Sequence, residues 1–365
     1  MTTTRKQFPR LGKDDPTQKK PPPSGASSVA ETSGPAKSEH VLAGEDPLAG
    51  TRYRTVEPLA EGGFAEVYLA EHRDLGRVFA VKVLPHEMCR DATEVERLRR
   101  EARTAGKLHH PGIVDVTDFG ETRDGRAFIV MEYLEGEDLE VLLEREGHLD
   151  QERALTIALR VSEALGAAHE QEVVHRDVKP ANIVLVADAG GGERVKVVDF
   201  GIALSPEHHG RRLTERGFTP GTPTYMAPEQ VRTPGATVLS DVYSLGSVLY
   251  EMLTGSPPFL EPSGPETLAA KLREPPEPLR QRAPELEIHP AVEAAVLRAL
   301  AMDPLDRCES MEELGASLKG ALEAVRAAPR AGAARSAAAG PRRRGRRGPV
   351  AVVALAALVV AGGVA

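Results

Sequence analysis

Cysteine is scarce in this chain, which has only two, Cys89 and Cys308, among 365 residues. The two lie far apart in the sequence and match neither a disulfide framework nor the spacing of a metal site. This scarcity argues against a disulfide-stabilised scaffold and a cysteine-ligated metal domain, and it fits a reducing compartment. We expect both thiols to be packing or surface groups.

A basic cluster is absent from the middle of the chain. The whole chain carries a formal charge of −8, residues 1–50 carry +1 and the arginine-rich stretch 326–348 carries +8, so residues 51–325 carry −17. Nucleic-acid binders make their phosphate contacts with clustered Lys and Arg. The acidic middle therefore argues against nucleic acid as a partner.

The first fifty residues lack a periodic apolar pattern and are rich in Pro, Ser, Thr, Gly and Lys. Such a composition cannot bury enough surface to fold, so we expect residues 1–50 to be a disordered tail. No apolar core follows the basic start, which argues against a secretory signal.

Charged residues are also absent from Val350 to Ala365, which follow the basic linker 326–348. A helix of this length rises about 24 Å, less than the roughly 30 Å of a hydrocarbon core. A single-pass transmembrane helix over 349–365 and a peripheral or docked helix therefore both remain open, and we favour the transmembrane helix. The preceding arginines would then leave the rest of the chain in the cytoplasm.

Apolar residues make up 41% of the chain, which is enough for one two-lobed globular unit over 51–325. Leu59 to Ala70 predicts a strand, a turn of small residues and a second strand. In the next predicted strand, Phe79 to Val83, a period of two places Ala80 and Lys82 on one face. The apolar pair Ile113-Val114 and the run Ala127–Val130 predict further strands of the same antiparallel sheet.

Glu94 to Leu108 has helical periodicity, and Glu101 lies within its apolar stripe. A carboxylate on a buried face needs a partner, and Lys82 on the facing strand is the obvious cation. The alternative is a solvated Glu101 at the edge of the stripe. Further along, Asp150 is a candidate N-cap for a core helix, and Ser240 to Leu253 predict a buried helix.

The polar loop His175 to Asn182 lies between apolar runs, and such loops usually display catalytic groups. Its order, His-Arg-Asp-Val-Lys-Pro-Ala-Asn, resembles the catalytic loop of eukaryotic-type protein kinases. Asp199-Phe200-Gly201 and Ala227-Pro228-Glu229 extend the resemblance. Over residues 53 to 320 the chain is similar to bacterial eukaryotic-like (Hanks-type) serine/threonine kinases. This resemblance implies an α+β fold with a small β-rich N-terminal lobe and a larger helical C-terminal lobe, divided at about 131–135.

The resemblance also implies roles for individual residues. Asp177 would orient the substrate hydroxyl and Lys179 would steady the transferred phosphate, while Asn182 and Asp199 would bind Mg²⁺. Lys82 would contact the ATP phosphates and pair with Glu101. The implied ATP site comprises Leu59, Gly62, Gly63, Val67, Ala80, Lys82, Glu132, Leu134 and Val184, with the backbone of 132 and 134 at the adenine edge. Ala60 and Ala65 replace two of the glycines of the family pattern, which weakens this part of the resemblance.

The segment between Gly201 and Ala227 resembles an activation loop. Thr214 and Thr219 are candidate phosphosites, and Arg176 is the expected partner of the phosphate. Thr222 resembles the threonine that contacts Asp177. Unmodified threonines in a basic loop that recruits acidic substrates are the alternative.

The sequence thus predicts a protein serine/threonine kinase that acts in signal transduction and phosphorylates its own activation loop, and it leaves open whether two copies of the chain must meet for that step. Two other classes remain as rivals. A nucleotide-binding pseudokinase is favoured by Ala60 and Ala65, and it is opposed by Lys82, Asp177, Asn182 and Asp199. A small-molecule kinase of related fold would lack the Ala-Pro-Glu segment.

Overall fold

The computed structural model describes residues 46–62, 65–90, 92–188, 190–200, 222–232 and 236–328. At 61, 62, 92–94, 97, 98, 101, 222 and 232 it describes the backbone alone. The described residues all fall within one compact unit, Leu42–Ala365. Residues 1–45 of the predicted tail, residues 329–348 of the predicted linker and the C-terminal apolar segment lie outside them. Residues 46–50, counted in the predicted disordered tail, instead form a turn in which the Leu48 side chain is fully buried. Within the described part of the chain, no helix is long and apolar enough to cross a membrane.

Five antiparallel strands form the N-terminal sheet in the order β1-β2-β3-β5-β4. They are β1 Tyr53–Gly62, β2 Ala65–His72, β3 Val78–Val83, β4 Val116–Glu121 and β5 Ala127–Glu132. On β3, Phe79, Val81 and Val83 pack into one apolar cluster while Ala80 packs into another. The predicted alternation along this strand is therefore confirmed, and Lys82 shares the face of Ala80.

Two helices follow β3 in the chain: α1 His86–Cys89 and α2 Ala92–Ala105. Ala102 and Ala105 of α2 pack against Ile129 and Met131 of β5. Helix α2 therefore lies on the same face of the sheet as Ala80, and it ends three residues before the predicted Leu108.

The prediction of a strand at Ile113-Val114 is wrong. Ile113 forms an isolated parallel bridge with Val197, and the Val114 amide donates to the Val197 carbonyl at 3.0 Å. The short apolar pair thus joins the end of a strand in the C-terminal lobe, and the N-terminal sheet takes β4 instead.

A second, smaller sheet has the order β6-β7-β8, with β6 Gly136–Asp138, β7 Ile183–Ala187 and β8 Glu193–Val197. Gly136 is needed for the close approach of β6 to β7, because a Cβ atom there would lie 2.2 Å from the Leu185 carbonyl oxygen. This sheet places the Asn182 end of the polar loop next to the β8 end that precedes Asp199.

Helices make up the rest of the C-terminal lobe and pack around its large apolar core. They are α3 Leu139–Glu146, α4 Gln151–His169, α5 Thr222–Tyr225, α6 Pro228–Arg232, α7 Val238–Thr254, α8 Gly264–Arg273, α9 Leu279–Arg282, α10 Pro290–Ala299 and α11 Met311–Ala327. The Asp150 side chain caps α4 by accepting from the Arg153 amide at 3.1 Å, as predicted. Helix α7 is buried along most of its length and ends at Gly255, which has a left-handed φ of 76°.

Candidate active site

The backbone of the polar loop is held by one buried carboxylate, Asp241 in the first turn of α7. Its side chain accepts the amide hydrogens of His175 at 2.8 Å and Arg176 at 2.9 Å, and it contacts the ring of His169 at 2.8 Å. Arg176 has a φ of 72°, which is uncommon for a residue with a Cβ and marks local strain. The two charge-assisted hydrogen bonds explain how this strained conformation is maintained.

His175 connects this loop to the segment that contains Asp199. Its side chain is fully buried, its Nε2 contacts the Val198 carbonyl oxygen at 3.0 Å, and its ring lies 4.7 Å from that of Phe200. Asp199 itself has a φ of 56°, so both segments carry a strained residue where they meet. Strain of this kind clusters at functional sites.

Two other side chains of the loop, Lys179 and Asn182, bind the carboxylate of Asp177. Its Oδ2 accepts from the Lys179 Nζ at 2.7 Å and from the Asn182 Nδ2 at 3.3 Å, and the same Nδ2 donates to the Asp177 carbonyl oxygen at 2.8 Å. The carboxylate is thereby fixed with only 18% of its side chain exposed. It is positioned to accept a hydrogen bond from a hydroxyl group, with an ammonium group beside it.

Lys82 and Asp199 form an ion pair across the cleft between the lobes. The Lys82 Nζ lies 2.7 Å from the Asp199 Oδ2. Burial alone would raise the pKa of the Asp199 carboxyl, but Lys82, with help from His175 and Lys179, holds that pKa below its ordinary value. Asp199 is therefore an anion at neutral pH, and β3 and the end of β8 are brought together as the sequence predicts.

Glu101, the predicted partner of Lys82, lies in α2, but its side chain is outside the described part of the structure. The same holds for Gly63, Thr214 and Thr219, which are outside the described residues altogether. The Glu101 ion pair and the two phosphosites therefore stay predictions.

The predicted nucleotide-binding residues that the structure describes lie on several elements of the two lobes. Val67, Ala80 and Leu134 belong to one apolar cluster that also contains Met131. Val184 is half-buried on β7, and Leu59 on β1 is 40% exposed. Gly62 ends β1. An apolar cluster open to a cleft with charged groups at its inner end suits a ligand with a planar apolar part and an anionic part.

Glu132 connects β5 to the second lobe and makes more contacts than predicted. Its Oε1 is hydrogen-bonded to the Lys196 Nζ and to the Asp115 amide, and its own amide donates to the Asp115 carbonyl oxygen at 2.9 Å. Any contact of its backbone with a ligand must therefore use the carbonyl oxygen. Lys196 of β8 also donates to the Ile113 carbonyl oxygen at 2.9 Å and so ties the two lobes together here.

A magnesium site with few protein ligands fits the arrangement at Asp199 and Asn182. Among the described residues, no group of three or more His, Cys, Asp or Glu side chains could hold a metal ion. Mg²⁺ is often held by one or two protein oxygens together with substrate phosphates. The Asn182 nitrogen donates to Asp177, which leaves its Oδ1 as the oxygen that can ligate a cation, and Asp199 is anionic.

Glu229 of the Ala-Pro-Glu segment forms a bidentate ion pair with Arg307. Both guanidinium nitrogens lie 2.8 Å from the two carboxylate oxygens, and the Arg307 side chain is completely buried. Arg307 also donates to the carbonyl oxygens of Leu239, Ala301 and Met302. This ion pair holds α6 against the core of the lobe. It thereby also holds the segment that begins at Thr222 and leads into α6.

Sequence reasoning missed three polar side chains around the site, of which Lys271 is fully buried and the other two are half-buried. They are His169 on Asp241, Lys196 on Glu132 and Lys271, whose Nζ contacts the carbonyl oxygens of Thr224 and Met226. Lys196 and Lys271 each lie within an apolar run of the sequence, and that position was the signal that could have marked them as buried. Periodicity did not show which partner each would meet.

Comparison with known proteins agrees with this geometry. The serine/threonine-protein kinase pkn3 of Myxococcus xanthus is 41% identical over 270 residues, which cover 73% of this chain and 49% of that protein. The chain spans about half the length, or less, of the curated relatives it matches.

Solved structures have the same fold. The PknI kinase domain of Mycobacterium tuberculosis, 30% identical, gives a TM-score of 0.60 and covers 77% of this chain and 100% of that one. Rad53 (residues 1–466) in complex with AMP-PNP, 26% identical, also gives 0.60, covering 73% of this chain and 64% of that one. The model of the protein kinase domain matches residues 53–316, most of the sequence. The chain therefore belongs to the protein kinase family.

Proposed function

We propose that this protein is an ATP-dependent serine/threonine protein kinase. The observation that carries the proposal is the group of side chains at Asp177, where Lys179 and Asn182 hold the carboxylate opposite the Lys82–Asp199 ion pair. Phosphoryl transfer needs the nucleophile to be positioned and the phosphate charge to be neutralised, and these residues supply both. The name of the relative pkn3 and the AMP-PNP bound by Rad53 support the same activity and cofactor.

The residues of this chain would divide the work as follows. The Asp177 carboxylate accepts the hydrogen bond of a serine or threonine hydroxyl and aligns its oxygen for attack. The Lys179 ammonium, 2.7 Å from that carboxylate, lies where it would neutralise negative charge on the transferred phosphoryl group. Lys82 would contact the other phosphates, while Ala80, Val67 and Val184 would pack against the adenine.

Asn182 Oδ1 and Asp199 are the residues that would hold Mg²⁺. The bound ion would supply positive charge that offsets the negative charge of the ATP phosphates. Before that, the Asp199 carboxylate is neutralised by Lys82. The nucleotide and its metal would therefore enter a cleft in which the opposite charges are already close together.

Regulation by phosphorylation at Thr214 or Thr219 is part of the proposal. The backbone of Arg176 is fixed by Asp241, so its guanidinium can receive a phosphate that arrives on the loop. Mapping of phosphosites by mass spectrometry after incubation with ATP and Mg²⁺ tests this. Finding phosphate only outside 201–227 would contradict it. Dilution of the protein during incubation shows whether two copies must meet.

We also propose that residues 349–365 attach the kinase to a membrane, with the domain on the cytoplasmic side. The support is the uncharged run that follows the arginines of 326–348. Alkaline carbonate extraction of membranes from cells that express the full chain separates the two alternatives. An integral span stays in the membrane pellet, and a peripheral helix is released.

The function itself is tested by incubating the purified protein with labelled ATP, Mg²⁺ and a generic acceptor such as myelin basic protein. Acid hydrolysis of the labelled product should yield phosphoserine or phosphothreonine. Recovery of phosphotyrosine alone would contradict the proposed acceptor class.

A further inference from the structure

Lys271 is a fully buried lysine without a carboxylate partner among the described residues. It lies near the end of α8, and its Nζ donates to the carbonyl oxygens of Thr224 at 2.5 Å and Met226 at 2.8 Å. The face of the Tyr243 ring lies 5.3 Å from the same nitrogen. A buried charge is costly unless it is well satisfied, so a lysine at this position needs an explanation.

The backbone that Lys271 contacts has little regular structure of its own. Helix α5 is a single turn, so the carbonyl groups at its end have no partners further along a helix. The carbonyl of Tyr225, between the two that Lys271 binds, accepts from the Ser244 hydroxyl at 2.9 Å. Three consecutive carbonyl groups, 224 to 226, are thus held by buried donors from α7 and α8.

This segment lies beside the catalytic loop. The Tyr225 hydroxyl donates to Glu251 at 2.6 Å, and burial, together with the charges of Glu251 and Glu140, raises the Tyr225 pKa. Burial and neighbouring carboxylates raise the Glu140 pKa, and Lys179 partly offsets that rise. Asp241, which holds the backbone of the catalytic loop, and Ser244, which holds the Tyr225 carbonyl, lie one turn apart on α7, so residues 224–226 form a wall next to that loop.

We propose that Lys271 is a positioning residue for the protein acceptor, acting through the backbone of residues 224–226. This role of Lys271 rests on the proposed kinase activity, and it adds a determinant of acceptor binding that lies outside the catalytic loop. Ser244 and Lys271 fix consecutive carbonyl groups, so they fix the direction in which this wall presents its amide groups and side chains to an incoming polypeptide. An ammonium group suits this task because it can donate to several carbonyl oxygens at once.

Burial lowers the pKa of Lys271 well below its ordinary value, in keeping with an ammonium held only by carbonyl dipoles and an aromatic face. A neutral amine would still donate two hydrogen bonds. The wall is therefore expected to keep its conformation whichever form of Lys271 is present. The informative substitution is therefore one that removes every hydrogen-bond donor of the Lys271 side chain.

The test compares transfer to an acceptor with hydrolysis of ATP in its absence. In Lys271→Met, which keeps the length and loses the donors, we expect transfer to myelin basic protein to fall about ten- to hundred-fold in kcat/KM, mainly through KM for the acceptor. Hydrolysis of ATP by water, KM for ATP and the rise in Tm on adding ATP with Mg²⁺ should stay as in the wild type. Lys271→Gln should be intermediate, because its amide retains two donor hydrogens.

Lys319→Met is the matched control, since Lys319 is exposed on α11, and it should behave as the wild type. Unchanged acceptor KM in Lys271→Met would overturn the inference, as would an equal loss of transfer and hydrolysis, which indicates a structural role. If Lys271→Met does not fold, the same comparison in Lys271→Gln decides between these outcomes. A wild type that binds ATP and transfers no phosphate would instead refute the proposed function, and the inference with it.

Discussion

Replacing Asp177 by Asn is expected to lower kcat for phosphoryl transfer about 10²- to 10⁴-fold. The amide has nearly the same shape as the carboxylate but carries no charge, and only one of its two terminal atoms accepts a hydrogen bond. It cannot at the same time satisfy Lys179 and Asn182 and orient a hydroxyl group. KM for ATP should change little, because Asp177 acts on the acceptor side. Steady-state kinetics with a protein acceptor measure both parameters.

Asp74→Asn provides the control, since Asp74 is an exposed residue of the turn between β2 and β3. Its kinetic parameters should equal those of the wild type. Transfer that survives Asp177→Asn undiminished would show that the catalytic carboxylate has been assigned to the wrong residue.

The largest loss of stability is expected from Arg307→Met, about 3 to 5 kcal/mol in the free energy of unfolding. The substitution leaves the Glu229 carboxylate partly buried without its cation and deprives three backbone carbonyl groups of their donor. For a domain of this size each kcal/mol corresponds to about 2–4 °C in Tm. Urea unfolding and thermal melts of the two proteins measure the difference.

Arg298→Met serves as the control, because Arg298 and Glu313 form an ion pair that is exposed on both sides. Exposed pairs contribute at most about 1 kcal/mol, so this variant should be close to the wild type. Equal losses in the two variants would contradict the account of Arg307.

The same ion pair predicts how stability depends on pH. Burial would raise the pKa of Glu229, but the hydrogen bonds and charge of Arg307 hold it below its ordinary value of 4.5. A carboxyl group with a lowered folded-state pKa contributes stability above its unfolded pKa, and that contribution is lost as the pH falls through the folded pKa. The gap in stability between wild type and Arg307→Met should therefore be constant near neutral pH and shrink below about pH 4.5.

Much of the fold could be predicted from local patterns. The alternation from Phe79 to Val83 predicted the two faces of β3, and Asp150 marked the start of α4 because capping depends on nearby residues. The pair Ile113-Val114 was mistaken for a strand of the N-terminal sheet. Two apolar residues indicate burial, but their partner, Val197, lies more than eighty residues away and periodicity does not identify it.

The candidate site shows the same difference between local motifs, which the sequence reveals, and distant partners, which it does not. The motif around Asp177 and Asp199 predicted residues that the structure does bring to one cleft. It did not predict the lysines Lys196 and Lys271, whose partners are backbone carbonyl groups or a carboxylate from distant parts of the chain. Backbone acceptors have no signature in the sequence, since every residue carries one.

The central claim is that the cleft between Lys82 and Asp177 catalyses phosphoryl transfer rather than nucleotide binding alone. The most direct measurement is the intact mass of the purified protein, freed of phosphate by a phosphatase, before and after incubation with ATP and Mg²⁺. A thermal shift on the same sample reports nucleotide binding. We predict a stabilising shift together with mass increments of one or more phosphates in the wild type, and the shift without the increments in Asp177→Asn. A wild type that is stabilised by ATP but gains no phosphate, and phosphorylates no acceptor, would contradict the claim and identify a pseudokinase.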